Sequence, residues 1–265
     1  MNDVLPPFAH TITPESAARR LAARDGSFAV PPPPGTALPL SYLCFLRIQP
    51  AKGISIHRAL GRDPDRGLFG GVSYRADRAP RVGDTFSSSA AVRERRTITS
   101  PRGELVLTTL DVTHRAADGA GIVESVRMVD LPPGPPQPPA RGPIEATALP
   151  RATALGSAGA VQTAWMTVET GDMNPLHLDL AYAQSRLFPA VVLPGPLMAA
   201  LIEDAVTRVA GRAPIGLAVR LRAANHPGEA LSLYAEPTCA RFRVHGPAGD
   251  LRAEGEAHFT AGAGA

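Results

Sequence analysis

The segment that most restricts the fold of this chain is residues 197–202, which are apolar on every side for nearly two helical turns. A helix that is hydrophobic all round belongs in the interior of a protein. The helical pattern continues to Val209, and Gly211 is placed to end it, because glycine adopts the left-handed conformation of many helix C-termini. Two strand-like segments follow, 239–245 and 251–259, joined by a turn. The pattern predicts a buried helix enclosed by an antiparallel sheet.

The same order of elements occurs twice along the chain. Residues 78–84 lead through Gly-Asp into a strand, as residues 224–229 lead through Gly-Glu into another. In each half two further strands flank a turn, those of the first half being 104–113 and 121–129. The helix of the first half is predicted at 38–46, after a short helix at 15–23 capped near Thr13.

A proline-rich stretch at 131–139 separates the two copies and is typical of a stiff, extended linker. We therefore predict an N-terminal repeat at 1–130, a linker at 131–145 and a C-terminal repeat at 146–265.

Candidate chemistry is concentrated in residues 171–177, Gly-Asp-Met-Asn-Pro-Leu-His. A carboxylate and an imidazole five positions apart do not meet on a regular helix or strand, so the chain has to turn. Asn174 suits a helix N-cap and Pro175 the first helical position. His177 is then the third helical residue, where the helix dipole disfavours imidazolium, and a neutral ring would share a water molecule with Asp172.

Two other interpretations of these residues remain open. In the first, the segment is a structural turn in which Asp172 accepts backbone N–H groups and His177 packs. In the second, a metal ion is bound by oxygen and nitrogen ligands from Asp172, Asn174, His177 and Asp179, although a helix would scatter them.

The stretch 170–177, with Ala183 after it, resembles the signature of the MaoC-like (R)-specific enoyl-thioester hydratases. The resemblance implies an α+β double hotdog, in which two central helices are each wrapped by an antiparallel sheet and form a pseudo-dimer. It further implies a degenerate N-terminal half and a catalytic C-terminal half. It also implies that Asp172 and His177 hold and activate water.

A second site element is implied at residues 192–197, just before the buried helix. Hydration of an enoyl thioester puts negative charge on the thioester oxygen, which requires aimed donors. By resemblance Gly195 supplies a backbone N–H to that oxygen, and Asn174 contributes to substrate binding. The chain departs from the family pattern at three positions: Met166, Glu169 and Pro194.

The implied activity is reversible hydration or dehydration of an enoyl or 3-hydroxyacyl thioester carried by coenzyme A or an acyl carrier protein. Short phrases such as Pro80–Asp84 and 193–197 resemble the mesaconyl-C4-CoA (3-methylfumaryl-CoA) hydratase branch. Such a hydro-lyase needs no metal or redox cofactor. The alternatives are a hotdog thioesterase, and a non-catalytic acyl-thioester binder of a biosynthetic pathway.

Composition narrows the classes of protein to which the chain could belong. Net charge is only +3 and the basic residues are dispersed, which gives little support to nucleic-acid binding. No segment reaches the roughly 20 apolar residues of a membrane span, and the N-terminus lacks a secretion signal. Two distant cysteines are typical of a reduced, cytoplasmic protein, and a homodimer is a plausible further assembly.

Overall fold

The computed structural model of the chain describes residues 3–26, 30–46, 60, 67–100, 103–132 and 148–260. Ten strands in these ranges form one antiparallel sheet. The first five are β1 (Asp3–Thr11), β2 (Gly67–Ala76), β3 (Thr85–Ser100), β4 (Gly103–Ala116) and β5 (Gly121–Asp130). The second five are β6 (Arg151–Gly156), β7 (Gly216–Leu221), β8 (Leu231–Ala235), β9 (Arg241–His245) and β10 (Leu251–His258).

The strand order shows the internal repeat. Across the sheet it is β1-β3-β4-β5-β2-β7-β10-β9-β8-β6. Read outward from the centre, each half places its own second, fifth, fourth, third and first strand in turn. The halves meet where β2 pairs antiparallel with β7, with Val72 opposite Val219. The predicted linker falls mostly outside the described residues, so the boundaries at 130 and 146 stay a prediction.

The buried helix predicted in the C-terminal half is present. There are four α-helices in the described ranges: α1 (Pro14–Asp25), α2 (Ala160–Thr170), α3 (Leu180–Ser185) and α4 (Gly195–Ala210). Helix α4 has 16 residues, and Leu197 and Ile202 are fully buried against the sheet. It ends at Gly211, which adopts the left-handed conformation (φ 68°). Glycine suits this position because a side chain disfavours that backbone geometry.

The N-terminal half differs from the prediction at its central helix. Instead of a helix over 38–46, the chain forms a 3-10 helix, Leu40–Phe45, all of it buried. Pro39 precedes it in extended conformation, which stops any helix from beginning at residue 38. The carboxylate of Glu203 on α4 accepts the N–H groups of Leu40 (2.7 Å) and Ser41 (2.8 Å). The shorter helix is therefore tied directly to the long one.

The two central segments and the enclosing sheet give the predicted double hotdog. The short leading helix is also present as α1, with Thr13 as its N-cap in a capping box with Ser16. Helix α1 packs beside its counterpart α2, so the two halves are in contact at the helices as well as through the sheet. No helix in the described ranges is long and apolar enough to cross a bilayer.

Candidate active site

Asp172 lies directly after the C-terminus of α2. Gly171 adopts the left-handed conformation (φ 66°) and ends the helix. The backbone N–H of Asp172 then donates to the carbonyl of Thr167 (3.1 Å), a pattern common at helix C-termini. The turn fixes the direction of the Asp172 side chain, because its backbone is held by the last turn of α2.

The Asn174-Pro175 corner forms in the predicted manner, but the helix it starts is shorter than expected. The side chain of Asn174 accepts the N–H of Leu176 (3.0 Å), and Pro175 occupies the first position. The helical stretch is a single 3-10 turn, Pro175–His177. Asn174 is buried, and its side-chain oxygen caps the turn by accepting the N–H of Leu176. The predicted role of Asn174 in substrate binding stays a prediction.

The corner brings the carboxylate and the imidazole together. Asp172 Oδ2 lies 3.5 Å from His177 Nε2. On the other side of the ring, His177 Nδ1 lies 2.7 Å from the carbonyl oxygen of Val192. Because a carbonyl only accepts, Nδ1 carries the proton, and in the neutral ring Nε2 presents a lone pair toward Asp172. A carboxylate and an imidazole in this arrangement can exchange protons with a small molecule bound beside them.

The charges around His177 favour its protonated form, contrary to the expectation that a helix dipole would disfavour it. Burial lowers the pKa of His177, but the carboxylate of Asp172 and the carbonyl of Val192 outweigh it, so the pKa is raised above the ordinary value. One 3-10 turn has too few aligned peptide groups for its dipole to dominate. The protonated ring is consequently more available than the sequence indicated.

We expect Asp172→Asn to reverse that shift. The substitution removes the negative charge and leaves the burial, so the pKa of His177 should fall below its ordinary value. An NMR titration of the imidazole, assigned with His177→Asn, measures it. An unchanged pKa would show that Asp172 does not set the charge of the ring.

A segment without helix or strand structure, residues 191–193, positions the imidazole. The N–H of Val192 donates to Leu176, the residue before His177 (2.9 Å), and the N–H of Leu193 donates to the carbonyl of Asn225 (2.8 Å). His226 Nδ1 lies 2.8 Å from the carbonyl of Val191. The carbonyl that orients His177 is thus held from both sides. Sequence reasoning missed Val192, since only its backbone takes part.

Gly195 is the first residue of α4, so the helix begins within the segment that the sequence placed before it. The Cα of Gly195 is covered by the other half of the protein. A Cβ built on Gly195 would lie 2.1 Å from Cδ1 and 2.7 Å from Cβ of Phe69 on β2. The close approach that glycine permits at this point is therefore to Phe69, and its N–H remains at the start of the helix, where developing negative charge is favoured. Leu68, the neighbouring residue, packs near Leu176 and Phe188.

We expect Gly195→Ala to destabilise the protein by about 1–3 kcal/mol, the usual cost of overpacking. Rotating Phe69 gives no relief, because its own Cβ is already too close. Urea denaturation of the single variants and of Gly195→Ala with Phe69→Ala measures the coupling. The double variant should be more stable than the sum of the stability losses of the two single variants predicts. If the losses in free energy of unfolding simply add, Gly195 and Phe69 are not in contact.

The three departures from the family pattern have structural partners. Met166 is buried in the main core. Glu169 forms an ion pair with Arg19 of α1 (2.7 Å) and lies 3.9 Å from Arg20, which links α2 to the N-terminal half. Pro194 precedes α4, and its carbonyl accepts the N–H of Met198 (3.1 Å). None of the three enters the Asp–His contact.

The metal interpretation gains no support from the positions of its candidate ligands. Asp179 caps α3 by accepting the N–H of Tyr182 (3.0 Å), and the oxygen of Asn174 caps the 3-10 turn. Within the described ranges no three His, Cys, Asp or Glu side chains cluster as a metal site.

Solved structures share this fold. HtdX of Mycobacterium tuberculosis matches with a TM-score of 0.71 and 17% identity, over 96% of this chain and 100% of that chain. A MaoC-like dehydratase from Phytophthora capsici matches at 0.69 and 16%, over 97% and 96%. The protein RV0216 of M. tuberculosis, which has a double hotdog fold, matches at 0.62 and 15%, over 96% and 95%.

The fold also occurs with other chemistry. An acyl-ACP thioesterase from Bacteroides thetaiotaomicron matches with a TM-score of 0.52 and 12% identity, over 96% of each chain. No protein-family model matches the chain, and no curated protein matches it in sequence. The likenesses show a double hotdog, and at these identities the activity has to be argued from the site.

Proposed function

We propose that the protein is a hydro-lyase that reversibly hydrates an enoyl thioester, with Asp172 and His177 as its acid–base pair. The observation that carries the proposal is the pair itself. A carboxylate oxygen lies 3.5 Å from an imidazole nitrogen, and the opposite ring nitrogen is fixed on a carbonyl. We infer that the two groups act together on one water molecule. MaoC-like dehydratases among the structural neighbours support the same reaction class.

The proton transfers balance with water and these two side chains. Water attacks the β-carbon while Asp172 takes one of its protons, and protonated His177 gives a proton to the α-carbon. The proton that Asp172 took from water then passes to His177, which restores the ionised Asp172 and the protonated His177. A raised pKa of His177 favours the form that donates, whereas its contact with Val192 keeps Nε2 as the donating atom. The scheme calls for no metal or redox cofactor, and dehydration is its reverse.

We propose that the N-terminus of α4 stabilises the negative charge on the thioester oxygen. There the N–H of Gly195 is proposed to stabilise the enolate-like transition state. Phe69 and Leu68 come from the N-terminal half and lie beside Gly195 and Leu176, respectively. We propose that this half shapes the acyl pocket. The short phrases that resemble the mesaconyl-C4-CoA hydratase branch make a branched, carboxylated acyl group an early substrate to test.

A thioesterase is the second candidate, supported by one structural neighbour. That reaction needs water to attack the carbonyl carbon, whereas the pair proposed here delivers one proton and removes another, as addition across a double bond requires. A non-catalytic acyl-thioester binder is the third candidate. It predicts tight binding of the thioester with no turnover.

The test is loss of enoyl-thioester absorbance with a panel of crotonyl-, octenoyl-, mesaconyl- and itaconyl-CoA, together with carrier-protein thioesters. We expect hydration of at least one member, with no release of free thiol. Release of thiol without hydration would establish the thioesterase instead. Binding without either reaction would establish the acyl-thioester binder.

A further inference from the structure

A cavity lies on the face of the sheet opposite the central helices. Its volume is about 800 Å³, and it spans the seam where β2 pairs with β7. Val72, Val219 and Phe242 face the core, so the alternating residues of the same strands face the cavity. Neither Asp172 nor His177 lines it. It is therefore separate from the candidate active site.

The lining of this cavity is strongly basic. It includes five arginines, Arg93, Arg127, Arg220, Arg241 and Arg243, and two glutamates, Glu254 and Glu256. One glutamate is already engaged, because Glu254 accepts a hydrogen bond from Arg222 (2.8 Å). Arg93 is paired with Asp111 (3.5 Å) and Arg241 with Glu236. Arg127 and Arg220 consequently carry the positive charge on which the site depends.

Arg127 and Arg220 stand on either side of Gly71. Gly71 pairs with Arg127 on β5 and with Arg220 on β7, so their Cα atoms are roughly 10 Å apart, two strand spacings. Gly71 has φ 149°, and a Cβ there would lie 2.3 Å from the carbonyl oxygen of Val219. No side chain therefore stands between the two arginines. Neither makes a hydrogen bond or ion pair to another residue in the described part of the chain.

Crowding of these cations has an electrostatic cost. Burial and the neighbouring charges of Arg222 and Arg127 lower the pKa of Arg220, and Glu254 offsets only part of the effect. Two guanidinium groups whose charges repel each other favour an anion that carries more than one charge. Guanidinium forks also match phosphate oxygens in geometry, which makes a phosphate group the fitting ligand.

We propose that the cavity between Arg127 and Arg220 binds a phosphate monoester or diphosphate group. The proposal does not depend on hydratase activity, because binding is measured directly. The phosphate has two possible sources. It belongs either to the coenzyme A part of a thioester substrate that passes round the end of the sheet, or to a separate phosphorylated ligand.

Isothermal titration calorimetry with pyrophosphate and with 3′,5′-ADP tests the site. We expect binding to the wild-type protein that weakens with salt, and about tenfold or more weaker binding in Arg127→Gln with Arg220→Gln. Arg115→Gln is the matched control, since Arg115 is exposed on β4 and does not line the cavity. Thermal melting of each variant establishes that it is folded. No binding by the wild type, or equal binding by the double variant, would overturn the proposal.

Kinetics then distinguish the two sources. If the phosphate belongs to coenzyme A, the double variant raises KM for an enoyl-CoA but not for the matching pantetheine thioester, which has no nucleotide. If the ligand is separate, KM for both thioesters is unchanged while pyrophosphate binding is lost. Pyrophosphate binding without any hydration would leave this site standing and count against the proposed function alone.

Discussion

Asp172→Asn should lower kcat/KM for enoyl-thioester hydration by roughly 10²–10⁴-fold, the range expected for one acid–base group. The substitution keeps the size of the side chain and removes the base that takes the proton of water. It also lowers the pKa of His177, because the carboxylate that raises it is gone. Both proton transfers are affected, so the loss should lie toward the upper end of the range.

The matched control is Asp179→Asn. Asp179 lies seven residues further on and is exposed, and its side chain caps α3 by accepting the N–H of Tyr182. Asparagine caps helices as well as aspartate does, so this variant should keep its activity and its stability. Steady-state rates on the best thioester substrate compare the two. Near-normal activity in Asp172→Asn, or an equal loss in Asp179→Asn, would remove Asp172 from the mechanism.

Features encoded locally in the sequence were predicted well. Asn174 and Pro175 specify a corner through their own side chains, and the all-round apolar segment at 197–202 required a buried helix. The recurrent Gly-Asp and Gly-Glu turns before β3 and β8 indicated two copies, and the mirrored strand order agrees with them. In each case the signal lies within a few residues of the structure it produces.

The contacts that complete the site join distant parts of the chain. Val192 orients His177 through a backbone carbonyl, which every residue type possesses, so no sequence signal marks it. Phe69 reaches Gly195 only because β2 and β7 are paired at the centre of the sheet. The direction of the His177 pKa shift depends on the distances from its ring to Asp172 and Val192. The amino-acid sequence does not contain those distances.

The role of Glu203 could not be predicted either, because its partners are distant in the sequence. Glu203 is a polar residue in the middle of a helix that was predicted to be buried. Its side chain is 1% exposed, and burial raises its pKa although the N–H groups of Leu40 and Ser41 oppose the effect. Those two donors are at the start of a buried helix and have lost access to water. The long helix of one half therefore supplies the N-terminal cap of the short helix of the other.

Glu203→Ala should consequently destabilise the protein by about 2–5 kcal/mol, because two buried donors lose their acceptor and a cavity forms. Glu203→Gln keeps one acceptor oxygen and should cost less. Asp204→Ala is the control on the same helix, since Asp204 is partly exposed and its pair with Arg24 (3.2 Å) is worth at most about 1 kcal/mol. Urea denaturation of the three variants measures the order. If Glu203→Ala costs no more than Asp204→Ala, the cap does not hold the two halves together.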